Sequence, residues 1–185
     1  MSPETSNTPA APTPDDKDWT WVLELPCPEC GFDASTFPAT EVAAALRANA
    51  AAWRSRLAHP AVAQRPSEDR WSALQYACHV RDVFRVYLAR LDRMLDEDGP
   101  HYDNWDQDAT ATEQRYDLAS PATVAAELTA AASALADRFD SVQGDQWQRT
   151  GFRSDGASFT IDTFARYFIH DPVHHLWDVG IPTTS

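Results

Sequence analysis

The chain has 185 residues, 43% of them hydrophobic, and carries 28 acidic against 15 basic side chains for a formal net charge of −13. That length suits one domain with a real core and is short for two. A phosphate backbone would be repelled by such a surface and no Lys/Arg cluster relieves it, so nucleic acid is excluded as an expected partner; no apolar run approaches the ~20 residues of a membrane span.

The opening stretch MSPETSNTPAAPTPDD has neither a basic start nor an apolar segment, so a soluble, cytoplasmic protein is expected. Residues 1–17 have almost nothing to bury and read as a disordered tail. Residues 18–39 form an N-terminal extension. Within it, Trp19, Trp21, Leu23 and Leu25 alternate with polar or smaller residues, the period of a short strand or hairpin element. The same extension carries CPECG at residues 27–31, whose Cys27 and Cys30 have the form of a zinc knuckle. No second CxxC completes it. His59, His101 or a second protomer are candidate completions, a redox pair is another reading, and a Pro-rich turn with two ordinary thiols is the preferred one. Cys78 makes the cysteine count odd, which argues against a disulfide framework.

Residues 40–182 carry four long helical signals. Thr40 can cap a first helix whose Val42, Leu46, Ala50, Trp53 and Leu57 keep one face. Ser72 and Gln75 make a capping box for a second, with Leu74, Cys78, Phe84, Leu88, Leu91 and Leu95 along a broad apolar face. Ser120 caps a third with Pro121 at its first position. A fourth runs from about Thr160 to a glycine stop at Gly180. Four such stripes bury each other most simply as an all-α four-helix bundle. Two long connections interrupt it, and the stretch TGFRSDGASFT in the second is expected to pair with the strand near Trp21.

The histidines point to chemistry. His170 and His174 lie one turn apart and about 40° around a helix, so both can reach one ion, whereas His175 lies about 140° from His170 and points elsewhere. His79 is the other mid-helix histidine, beside Cys78 of the apolar face. Three neutral imidazoles from facing helices leave open coordination positions, as a catalytic metal site requires. Pro172 predicts a kink between them.

The capped helix WSALQYACHVRDVF followed about ninety residues later by HDPVHH resembles the DinB-like superfamily of four-helix metalloproteins. The resemblance implies a divalent metal on His79, His170 and His174. It also implies relatives among mycothiol-dependent maleylpyruvate isomerases and thiol S-transferases. The isomerases look to have a Glu at the position of His170, so the chain departs from them there. The expected function is a metal-dependent enzyme acting on a small molecule as a transferase, isomerase or hydrolase, with mycothiol the thiol cofactor that the resemblance suggests; the alternative is a non-catalytic metal-binding or sensing protein. Zn, Ni, Fe or Mn all suit the ligands, and a homodimer is compatible with the apolar helices. Asp82, Asp171 and Asp178 are available to accept the outer N–H of the ligands. Trp105, Tyr116, Trp147, Arg149 and Arg153 in the long connections are the expected pocket residues, an Arg suiting an anionic substrate.

Overall fold

A computed structural model describes residues 18–182; the tail expected over 1–17 lies outside them. Four long helices make the bundle: α1 (Val42–Leu57), α2 (Ala73–Asp96), α4 (Pro121–Asp140) and α5 (Ile161–Asp178). A short α3 (Gln107–Glu113) sits in the first long connection. Each of α1 and α2 packs against both α4 and α5, which closes the four into a ring around one core. Trp53, Phe84, Leu91, Leu128, Leu135, Phe139 and Phe168 fill it and are at most 2% exposed. No described helix is long and apolar enough to cross a membrane.

Two of the four starts follow the capping chemistry read from the sequence, and a third is capped in the same way. Ser72 accepts from Gln75 N while the Gln75 side chain accepts from Ser72 N, so two of the donors orphaned at the start of α2 are satisfied together. Ser120 accepts from Thr123 N with Pro121 at the first position of α4. Thr160 and Thr163 make the equivalent box on α5. At the other end of α5, Gly180 takes φ +80°, and Ile181 N donates to Leu176 O across a Schellman-type stop. The first helix differs. Thr40 does not cap it; a 3-10 turn over Ala39–Glu41 leads directly into Val42, with no side-chain cap.

Two further expectations are corrected. The stretch around Trp21 is a 3-10 helix (Thr20–Leu23), not a strand. Val22, which alternation assigned to the outward face, is the buried residue, and Leu25 is 61% exposed. Its expected partner pairs elsewhere: β2 (Thr150–Arg153) runs antiparallel to β3 (Ser158–Thr160) and parallel to β1 (His101–Tyr102). The two long connections thus pair with each other and leave no edge in use by the N-terminal segment. Gly151 is needed there, because a Cβ would stand 2.8 Å from the Met94 side chain and 3.0 Å from the Tyr102 ring. Finally, α5 runs unbroken through Pro172, whose carbonyl accepts a 2.8 Å hydrogen bond from the buried Asn49 side chain of α1.

Candidate functional site

The N-terminal half of α2 and the C-terminal half of α5 meet at one end of the bundle, and a cleft of about 1070 Å³ opens between them. Its walls come from both helices, the N-terminal segment and the two long connections. His79, Asp171 and His175 stand on it together, with one donor atom from each lying within 4.8 Å of the others. Asp171 Oδ2 is 3.5 Å from His79 Nε2 and 3.7 Å from His175 Nε2.

This grouping follows from helix geometry. Asp171 and His175 are four residues apart and share a face of α5. His170 and His174 form a second such pair, displaced by about 100° around the same helix. The fold therefore divides the expected triad. His79 meets the Asp171/His175 face, while His170 and His174 turn to the N-terminal extension. There, Cys27, Cys30, His170 and His174 make a second group whose donor atoms also lie within 4.8 Å of one another. His175, read from the sequence as pointing away from the His170 ion, does so, and faces His79 instead at a ring separation of 4.9 Å.

The first group is closely enclosed. The His79 ring is 1% exposed and stacks on Trp105 at 5.4 Å with an interplanar angle of 14°, with Trp71 at 5.5 Å on another side. Both His79 nitrogens and Asp171 Oδ1 are buried with no hydrogen-bond partner among the described residues. Orphaned buried polar atoms cost free energy unless something binds them, and a cation taking one donor atom each from His79, Asp171 and His175 would satisfy one His79 nitrogen. His175 Nδ1 lies 2.9 Å from Asp178 Oδ2, so a carboxylate orients this ring and leaves Nε2 facing Asp171. Burial alone would raise Asp171, but the His175 and His79 imidazoles outweigh it and hold the carboxyl well below the usual carboxylate range. The donor set is thus two imidazoles and one carboxylate, a combination found in catalytic zinc and non-haem iron sites.

In the second group, burial, aided by His174, pushes His170 down to about 4, and burial likewise lowers His174. Burial thus favours the neutral form of both rings, the form that can ligate. Burial pushes the Cys30 thiol up to about 12.

The other residues singled out from the sequence divide between cleft and scaffold. Trp105 and Arg153 line the cleft. Arg153 is already engaged by Asp155 at 2.7 Å and by the Tyr167 hydroxyl at 3.1 Å. Tyr116 is buried away from the cleft and donates to Asp82 Oδ2 at 2.6 Å. Trp147 packs on Phe139, and Arg149 caps the C-terminal end of α2 through the Met94 and Glu97 carbonyls. Asp82 serves no imidazole; it takes a bidentate pair from Arg81. Asp178 does face the histidines, and Asp171 joins the donors themselves.

Arg90 was not anticipated. It lies on the cleft wall, 8% exposed, stacked over Tyr102 and Tyr87, and its one polar contact among the described residues is the Asp103 carbonyl at 2.8 Å. The signal was present in the spacing. Eleven residues after His79 amount to about 20° around α2, so Arg90 shares its face three turns along.

A bundle with histidine and carboxylate donors converging on an aromatic-walled cleft defines the class as a four-helix protein built around a side-chain donor site. The sequence model of the DinB superfamily matches residues 61–179, well over half of the chain, and the protein belongs to that superfamily. A search of curated proteins returned no match. Among solved structures the fold is similar to YfiT from Bacillus subtilis, at a TM-score of 0.60 and 16% identity over 90% of each chain. YfiT is described as a probable metal-dependent hydrolase with an unusual four-helix bundle topology. At this identity the likeness is one of fold.

Proposed function

We propose that His79, Asp171 and His175 hold one divalent cation and that the protein is a metal-dependent enzyme acting on a small molecule in the cleft. One observation carries the reading: three donors converge on the wall of the cleft, two of them, His79 and Asp171, with orphaned buried atoms, while Asp178 fixes the outer nitrogen of the third, His175. When bound, such a cation supplies Lewis acidity and lowers the pKa of a water or thiol beside it.

The chain's own groups do the rest. Trp71 and Trp105 clamp the His79 ring and exclude water from its far side. Asp178 keeps the proton of His175 on Nδ1, so that Nε2 presents its lone pair to the cleft. Arg90 offers a buried guanidinium with no carboxylate partner among the described residues, and so an anchor for an acidic or carbonyl-bearing substrate.

The cleft, at about 1070 Å³, has room for a small substrate and a thiol-bearing reactant such as mycothiol side by side. The reaction is then transfer to the thiol, with hydrolysis when water takes its place. The test is turnover of a panel of electrophiles and of esters and amides, with and without mycothiol, before and after chelation. Chelator-sensitive turnover lost in His79→Ala supports the enzyme. A stoichiometric metal on these residues without turnover in either arm would favour a metal-binding or sensing protein.

A further inference from the structure

Cys27 and Cys30 lie outside the residues matched by the family, and the cleft chemistry does not use them. The geometry points to a second, structural zinc site formed by Cys27, Cys30, His170 and His174, which clips the N-terminal extension to α5. All four residues are buried, at 2%, 4%, 4% and 8% exposure. Cys27 Sγ lies 3.6 Å from His174 Nδ1. A tetrahedral zinc with Zn–S about 2.3 Å and Zn–N about 2.0–2.1 Å places sulfur and nitrogen about 3.6 Å apart. His170 Nε2 is buried with no hydrogen-bond partner among the described residues, an acceptor position that a cation satisfies.

The local chain is built for the purpose. Gly31 N donates to Cys27 O and Cys27 N donates to Phe32 O, each at 2.9 Å, folding CPECG into a tight knuckle. Gly31 completes it at φ +76°, where an L side chain would be strained. On the opposite side, His174 Nε2 faces Glu29 Oε2 at 3.4 Å and Asp178 Oδ2 at 3.9 Å. A ligating histidine ordinarily gives its outer N–H to such carboxylates. Glu29 comes from within the knuckle, so the loop that supplies the thiols also orients the imidazole.

Four protein donors fill a tetrahedron and leave no open position, unlike the three donors on the cleft. Two thiolates and two imidazoles select zinc among the common divalent ions. On binding, each thiol gives its proton to solvent and its sulfur lone pair to the ion, so the two thiolates cancel the zinc charge and the centre is neutral.

The experiment uses the full chain, purified without a histidine tag in the presence of zinc. Metal analysis is expected to give two equivalents, of which blocking the thiols with an organomercurial releases one. Cobalt-loaded wild-type protein is expected to show a thiolate-to-cobalt charge-transfer band in the near ultraviolet. The band persists in His79→Ala and disappears in the Cys27→Ser, Cys30→Ser double variant. Absence of the band in cobalt-loaded wild type overturns the proposal without recourse to any variant, as does a Cys27–Cys30 disulfide in freshly purified protein. Loss of the cleft metal alone, with the band retained, counts against the proposed function and leaves the structural zinc standing.

Discussion

Replacing Asp82 by Asn separates the scaffold of the cleft from its chemistry. Asp82 is 5% exposed and receives Arg81 in a bidentate pair at 2.9 and 2.8 Å, Arg85 at 3.1 Å and the Tyr116 hydroxyl at 2.6 Å. The amide keeps the shape but turns an NH2 toward a guanidinium that is itself 7% exposed. Breaking a buried pair from one side costs about 3–5 kcal/mol. Arg81 retains Glu127 at 2.9 Å and Gln114 at 2.9 Å, which places the loss near the lower figure. At roughly 2–4 °C per kcal/mol for a chain of this size, Asp82→Asn is expected to lower Tm by about 6–12 °C. Metal content below that temperature should be unchanged, because no imidazole touches Asp82. The pH dependence provides an independent check. Burial alone would raise Asp82, and Arg81, Tyr116 and Arg85 outweigh it, so the folded carboxyl titrates below its unfolded value of about 3.9. Its contribution is therefore full above that value and lost as pH falls through the folded pKa, and the stability gap between wild type and variant should close on acidification below about pH 4. Thermal and urea melts measure both effects. A Tm change under about 2 °C, or a folded variant that has lost cleft metal, would refute the assignment of Asp82 to the scaffold.

Three further outcomes concern the cleft. His175→Ala is expected to lose one equivalent of bound metal while keeping its helical circular dichroism; full metal content would remove His175 from the donor set. Asp178→Asn is expected to weaken the cleft metal about 10–100-fold by chelator competition, since the carboxylate orients a ligand without binding the ion, and an unchanged constant would show that the 2.9 Å contact is idle. For a substrate recovered in the chelator-sensitive screen, Arg90→Met is expected to raise KM about 10–100-fold with little change in kcat, the loss of one charged hydrogen bond of about 1.5–3 kcal/mol; a KM that does not move would rule out the anchor.

The bundle was legible because its signals are local. Capping residues Ser72 and Ser120 act within a turn of themselves, and the apolar stripes of α1, α2 and α4 have a period that no tertiary contact needs to impose. The N-terminal segment was not legible, since a run of alternating residues becomes a strand only where a free edge accepts it. Here the two long connections pair with each other, leaving Trp19 to pack on His170 and His174 at 5.4 Å. The site was half legible. Spacing identified α2 and α5 as the elements that meet, with His79 on one and His170 with His174 on the other, and passed over the interleaved Asp171/His175 pair. Which pair faces His79 depends on the rotation of α5 about its own axis, and sequence periodicity does not fix that angle within the 100° that separates neighbours. Preference for a purely imidazole donor set selected His170 and His174, when Asp171 with His175 had the same spacing.

The same interleaving explains why one short stretch carries so many potential ligands. A helix that presents Asp171 and His175 to a cleft must hold its axial rotation closely, because a turn of 100° would replace them with His170 and His174. Apolar packing alone holds such an angle loosely when the facing residues are a histidine, two tryptophans and an open cleft. The buried contact from Asn49 to the Pro172 carbonyl fixes α5 against α1 between the two pairs. A closed Cys2His2 centre on the flank displaced by about 100° would add a stronger restraint of the same kind, since four short bonds tolerate little rotation of His170 and His174. On that reasoning the closed centre sets the rotation and the open one uses it. The N-terminal extension is then part of the cleft's architecture, although no cysteine reaches the cleft.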